Sequence, residues 1–305
     1  MREISERRRL VEVEGRKHSV LRGRWQGFHF ENMPKVQRAF GRFLQVFNLR
    51  AIGERNALKV RLREVEFELD GLAAAFDGYR VLFISDLHID GMDDLAGKLV
   101  EIIDSADYDI CILGGDYTFQ YGWAKGIDQS NLKMIAEKLV SKSRVLGILG
   151  NHDIYSVGEM LERIGVEMLV NENTSVEKGG EKIYIAGIDD SHYYGADNVP
   201  QAGGGIDGWS FKVMVGHSPE RLVQAQGQGY DLYLAGHTHG GQVCLPGGTQ
   251  IVRGASLPRR FLKGKWHYGK MSGYTSNGAG TSGIAVRFFC RPEIAVITLR
   301  QSASK

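Results

Sequence analysis

The stretch LAGHTHGGQ, residues 234–242, sets His237 and His239 one residue apart between an apolar run and two glycines. Imidazoles so placed could hold a metal ion or merely close a turn. Four other places in the chain share the construction. Asp86 and His88 follow VLFIS, Asp116 follows CILGG, Asn151, His152 and Asp153 follow LGILG, and His217 follows KVMVG. Taken singly, each has an ordinary explanation, since a histidine after a strand is commonly a hydrogen-bonded turn residue and an aspartate before a helix a cap. Taken together they do not, because five of the nine histidines fall in these short segments. Asp86, His88, Asp116, Asn151, His217, His237 and His239 are hard-oxygen and imidazole donors suited to Mn, Fe or Zn ions, and no cysteine joins them.

Such groups converge only if the apolar runs before them are neighbouring strands. YRVLFIS, YDICILG, RVLGILG, KIYIAGI, FKVMVGH and YDLYLAG are short and rich in aliphatic and aromatic residues, as strands buried on both faces require. DDLAGKLVEIIDSA and QSNLKMIAEKLVSK carry helical periodicity between the first of them. This alternation predicts an α/β layered domain with its ligand site outside the carboxyl ends of the strands. KVRLREVEFEL alternates as a strand or hairpin arm, and the tail GIAVRFFCRPEIAVITLR is expected to supply two more strands.

The series SDLHID, GGDYTF, GNHD, VGHSPE and AGHTHGGQ resembles the motifs of the calcineurin-like metallophosphoesterases, over roughly residues 58–300. With the closing SNGAGTSGIAVRFFCRPEIAVITL it is similar to the branch holding small bacterial phosphodiesterases and a hydrolase of UDP-diacylglucosamine. The resemblance implies a four-layer α-β-β-α sandwich and two divalent metal ions. It implies that Asp86, His88 and His239 hold one ion, that Asn151, His217 and His237 hold the other, and that Asp116 bridges them. Water activated between ions roughly 3.5–4 Å apart would attack phosphorus in line. His152 would stabilise the transition state or protonate the leaving oxygen, with Asp153 orienting its ring. Many relatives continue the second motif with another acid, whereas here Tyr117, Thr118, Phe119 and Gln120 follow, which leaves the surroundings of Asp116 open. Asp189, Asp190 and His192 could border the substrate or form a polar loop. Arg253, Arg259, Arg260 and Lys263 could meet a diphosphate or stay solvated.

Residues 1–57 are expected to form a basic extension preceding a metallophosphoesterase domain at 58–305. The first 63 residues hold 16 basic against 6 acidic side chains, whereas the remainder holds 22 against 30. Val36, Ala39, Phe40, Phe43, Leu44 and Phe47 mark one apolar helix face flanked by Arg38, Arg42 and Arg50. That helix could pack on the domain or lie on an anionic membrane surface. No secretory leader and no spanning segment is legible, and three cysteines without paired spacing favour reduced thiols and a cytoplasmic location, with the inner membrane face as a peripheral site. The reaction expected is hydrolysis of a phosphodiester or pyrophosphate bond, with UDP-2,3-diacylglucosamine in lipid A synthesis as a candidate substrate. A nucleotide or nucleic-acid phosphodiesterase and a non-catalytic metal-bound scaffold are the rival readings.

Overall fold

Alternate side chains of the central strands feed two different hydrophobic cores, which is why their sequences read as unbroken apolar runs. The computed structural model describes residues 6–14, 34–119 and 129–302. In β2 (Tyr79–Ile84), Val81 and Phe83 point into the core between two sheets, while Leu82 and Ile84 point to a helical layer outside. The next strand, β3 (Ile110–Leu113), divides in the same way: Ile110 and Ile112 face inward, Cys111 and Leu113 outward. With β1 (Arg61–Leu69), β4 (Arg144–Gly147), β5 (Glu167–Met168) and β12 (Glu293–Gln301) they form a six-stranded sheet in the order β1-β12-β2-β3-β4-β5. The β2, β3, β4 and β5 strands run parallel, and β12 lies antiparallel to β2 and parallel to β1.

The second sheet has the order β10-β11-β9-β8-β7-β6. Its strands are β6 (Glu172–Lys178), β7 (Glu181–Gly187), β8 (Phe211–Val215), β9 (Leu232–Ala235), β10 (Gly264–Tyr268) and β11 (Met271–Thr275). Phe83, Ile112 and Ile148 of the first sheet side meet Ile185, Val213 and Leu234 of the second.

Helices α4 (Leu95–Ser105), α5 (Ser130–Val140) and α6 (Tyr155–Ile164) cover the outer face of the first sheet. In α4, Leu95, Leu99 and Ile103 recur every fourth residue and are buried, and α5 buries Leu132, Ile135, Ala136 and Leu139 on one stripe. On the outer face of the second sheet, α7 (Val199–Ala202) and α8 (Leu222–Gly227) pack with Trp266 and Met271. The result is the expected four-layer α-β-β-α sandwich. The tail departs from expectation, because only β12 forms there. Residues 286–289 instead cross beneath the His239 turn, with Phe288 bridging to Val243.

The basic extension divides its alternatives between two helices. In α1 (Glu6–Glu14), Val11 is buried against Tyr194 and Ala196, so this helix packs on the body. In α2 (Pro34–Val46), Leu44 is buried, but Phe43 and Val46, with Phe47 just after the helix, are 49%, 76% and 60% exposed. The side chain of Val36 and the linking residues 15–33 lie outside the described residues. α3 (Arg50–Ala57) anchors the extension, with Gly53 against Val286 and Phe288 and its carbonyl accepting from the Arg287 amide. No helix among the described residues is long and apolar enough to cross a membrane.

One buried carboxylate ties the sheets together. Glu293 of β12 accepts from Tyr274 Oη at 2.5 Å, from Arg61 at 3.0 Å and from both the amide and side chain of Asn277. Burial opposes its charge, yet the Tyr274 hydroxyl, Arg63 and Arg61 outweigh that cost and hold its pKa below 4.5. A depressed folded-state value stabilises above the unfolded value and loses that contribution as pH falls through the folded one. Glu293→Gln is therefore expected to lower stability by about 2 kcal/mol at pH 7, with the difference from wild type closing below pH 4.5. Urea melts from pH 7 to pH 3 check this, and a gap that does not narrow in acid contradicts it.

Candidate metal centre

After β2, β3 and β9 the chain turns sharply, and the turning residue is itself a donor. Asp86, His88, Asp116, His237 and His239 all have positive φ, between 39° and 69°. Aspartate and histidine tolerate this left-handed backbone better than bulky or branched residues do, and such conformations concentrate at functional sites. At Gly236 the backbone passes so close to Ser85 and Asp86 that an added Cβ would overlap Ser85 Oγ and the Asp86 carboxylate. Glycine there is required by close approach, which brings the turn after β9 against the turn after β2.

The seven donors named from sequence are all buried, between 0 and 2% exposed except His239 at 4%, and Asn151 directly precedes His152, whose amide donates to Asp116 at 2.8 Å. Ligand atoms of Asp86, His88 and His239 lie within 4.8 Å of one another, as do those of Asp116, His217 and His237. A third such group joins His88, Asp116 and His152. His88 Nε2 is 3.2 Å from His239 Nε2, and His217 Nε2 is 3.1 Å from Asp116 Oδ2. The Asn151 side-chain oxygen is buried with no hydrogen-bond partner. An unsatisfied buried acceptor beside crowded imidazole and carboxylate donors costs free energy that a cation would recover, so the residues present fit divalent metal.

Backbone carbonyls fix which nitrogen each ring offers. His88 Nδ1 donates to the Thr118 carbonyl at 2.8 Å, and His217 Nδ1 to that of Gly114 at 2.8 Å. A carbonyl can only accept, so both rings turn Nε2 toward the cluster, and in neutral His88 that nitrogen keeps its lone pair. In His237 the arrangement is reversed, with Nε2 donating to Gly254 at 3.2 Å. Burial pulls His88 down to about 3 and pushes Asp86 up to about 6. Burial and the neighbouring rings hold His237 and His239 well below the ordinary imidazole value, leaving them neutral as ligands must be. Asp116 and His217 go the other way. Burial opposes charge on each, but their mutual attraction prevails and holds the aspartate well below its usual range and the histidine well above.

Asp153 does not orient the His152 ring, contrary to expectation. Its carboxylate accepts from the amides of Gly150, Asp116 and Tyr117 at 2.7–2.9 Å, stapling the turn after β4 to the turn after β3. The ring is aimed instead by the Phe119 carbonyl, 2.9 Å from His152 Nδ1. The missing second acid after Asp116 is thereby explained: Thr118 and Phe119 act through backbone carbonyls, and Tyr117 Oη donates to Ile148. Gln120 lies outside the described residues.

Of the flanking candidates, Asp189 pairs with Arg8, and Asp190 accepts from the amides of His192, Tyr193 and Tyr194 to close a turn. His192 borders the cluster: its ring centroid is 4.2 Å from that of His237, and its Nδ1 is 3.0 Å from Glu220. Arg253, Arg259 and Arg260 are exposed, and Lys263 approaches Cys290 at 3.9 Å.

Arg287 was not singled out by its sequence. It is fully buried and donates to the carbonyls of His239, Asn277, Gly278 and Gly280, while Nη2 lies 3.3 Å from His239 Nδ1. Its neighbours in sequence, RFFC, resemble a strand, and only the crossing path reveals the guanidinium as the brace behind His239.

A family model for the calcineurin-like phosphoesterases matches residues 79–241, more than half of the chain. An uncharacterized metallophosphoesterase, YkoQ of Bacillus subtilis, is 26% identical over 79% of this chain and 90% of its own length. The phosphodiesterase YaeI of Escherichia coli is 24% identical over 72% of this chain and 82% of its own. A transmembrane protein with a metallophosphoesterase domain from Danio rerio is 29% identical over 78% of this chain and 57% of its own. Fold, donor cluster and relatives together define a metal-dependent phosphoric ester hydrolase. The chain belongs to the calcineurin-like phosphoesterase family.

Because Arg287 braces His239 from behind, Arg287→Lys is expected to weaken metal affinity about 10- to 100-fold. Calorimetric titration of chelator-treated protein with Mn²⁺ measures this, and an affinity equal to wild type would remove Arg287 from the support of the centre.

Proposed function

We propose that the protein cleaves a phosphodiester or pyrophosphate bond at a two-metal centre. In this reading Asp86, His88 and His239 hold one ion, Asn151, His217 and His237 the second, and Asp116 spans both. The observation that carries it is the grouping of six of these donors into two sets, Asp86, His88 and His239 and Asp116, His217 and His237, which a third group of His88, Asp116 and His152 joins. Divalent ions such as Mn²⁺, bound there, supply Lewis acidity that offsets charge on the phosphoryl oxygens and acidifies water. The chain's own residues do the rest. The carbonyls of Thr118 and Gly114 hold the His88 and His217 rings in register, and Asp153 locks the loops that carry Asp116 and Asn151. His152, aimed by Phe119, delivers a proton to the leaving oxygen. His192, backed by Glu220 and beside His237, is the flanking residue we assign to substrate contact.

The substrate class we favour is a lipid-linked nucleotide, with UDP-2,3-diacylglucosamine as the specific candidate and UMP as product. Phe43 and Val46 of α2 and the adjoining Phe47, exposed within the basic extension, support a resting place on an anionic membrane at the inner face. YaeI is a phosphodiesterase, which agrees with diester rather than monoester chemistry.

His152→Ala is expected to retain metal stoichiometry while kcat falls by roughly 10²–10⁴, as read by metal analysis and turnover of bis-p-nitrophenyl phosphate on one preparation. Full turnover in that variant would end its assignment as the acid. For the substrate, incubation of the Mn²⁺-loaded enzyme with UDP-2,3-diacylglucosamine should release UMP. Turnover of the simple diester, or of nucleotides or nucleic acid, without UMP release would replace the lipid reading. Vesicles of anionic phospholipid should retain the wild type at high salt and release Phe43→Ser/Phe47→Ser; retention of both would leave α2 out of membrane binding.

A further inference from the structure

The guanidinium of Arg8 lies wholly inside the protein, although it belongs to the basic extension, more than fifty residues before the first strand. Nε and Nη2 grip Asp189 at 2.9 and 2.6 Å. Nη1 donates to the backbone carbonyl of Asp153 at 2.7 Å and to Glu12 at 3.1 Å. Glu12 in turn accepts from the amide of Tyr155 at 3.1 Å, at the start of α6. The guanidinium plane rests 4.0 Å from the ring of Tyr194, and Val11 closes the contact against Tyr194 and Ala196. Burial opposes the charge, but Asp189 outweighs it and keeps Arg8 protonated.

The two loops that Arg8 joins carry different parts of the site. One, after β4, presents Asn151 and His152, and its Asp153 staples the turn of Asp116. The other, after β7, presents His192 against His237. The two loops rise from different sheets, and Arg8 reaches both, through Asp189 and the Asp153 carbonyl. A planar fork with five donors can hold a carboxylate on one side and a carbonyl on the other, which a lysine ammonium cannot reproduce.

We propose that Arg8 is a positioning residue, and α1 a clamp within the chain, that sets the spacing between the His152 loop and the His192 loop across the metal centre. The proposal rests on the phosphoesterase reading given above for its effect on turnover, and on geometry alone for its effect on the loops. Misplacement by about an ångström of groups that must meet one substrate can cost around 100-fold in rate.

The experiment compares full-length wild type, Arg8→Lys, Arg8→Ala and His152→Ala, each loaded with Mn²⁺, with bis-p-nitrophenyl phosphate as substrate. Arg8→Lys should keep wild-type metal stoichiometry and lose about 10- to 100-fold in kcat with a smaller change in KM. In Arg8→Ala, millimolar guanidinium chloride should restore part of the lost turnover where equal sodium chloride does not. Hydrogen exchange should quicken in both loops, 150–155 and 189–194, in Arg8→Lys, whether or not the enzyme turns over. Should Arg8→Ala fail to fold, Arg8→Lys and the exchange data decide by themselves. Wild-type kcat in Arg8→Lys, or unchanged exchange in the two loops, overturns the clamp. Inactive wild type or fully active His152→Ala counts against the catalytic reading instead, and leaves the clamp to the exchange measurement.

Discussion

Asp116 and His217 lie 3.1 Å apart at a fully buried position, among four more imidazoles and a second carboxylate. Concentrating such groups without solvent costs several kcal/mol for each ion left uncompensated. The protein meets that cost in part by pairing, in part by keeping the other rings neutral, and in part by using backbone carbonyls as fixed partners. What pairing leaves over, the Asn151 oxygen above all, is the preference for cations expressed as an unfilled need. The left-handed turns at five of the donors follow from the same demand. At these five positions the reversal falls on the donor itself, whereas Asn151 and His217 have no positive φ.

Those turns hold because other residues brace them from outside. Asp153 joins two turns through three backbone amides, Arg287 gathers four carbonyls behind His239, and Glu293 links β12 of one sheet to Tyr274 of the other. Each brace is a charge in the interior satisfied by several hydrogen bonds, the arrangement in which buried ions impose one geometry. The catalytic donors therefore sit between layers of fixed dipoles, and small shifts in a brace reach them directly.

The donors were legible in the sequence because chemistry constrains residue type: aspartate, asparagine and histidine behind apolar runs have few other reasons to recur together. The strands and the helices α4 and α5 were legible for a related reason, since burial writes itself as periodicity. The braces were not. Arg8 reads as one of three consecutive arginines, and Arg287 as a charge in an apparent strand, because their partners are carbonyls and carboxylates far away in the chain. Asp153 was noticed for its place beside His152, but a carboxylate that binds backbone amides leaves no residue-type signature on its partners. The short strands β5, β10 and β11 and the edge strand β6 went unseen because they are brief or polar enough to fall beneath the periodic signal.

The position of β12 bears on how the chain is made. It fills the slot between β1 and β2, yet it is synthesised after all eleven other strands. While the polypeptide emerges, β1 and β2 are near neighbours in sequence with a gap between them that only a distant segment can close, and a direct hairpin of the two is the competing pairing. Asp86 and His88, the first donors to be translated, hang from the unfinished edge of that gap, and Gly278, which packs on Asp86, has yet to be added. Formation of the sheet is thus a long-range event of the kind that slows folding and prolongs exposure of unpaired edges. Stray cations meeting the nascent chain would find ligands but no pocket, and selectivity for the right ion has to await the last strand.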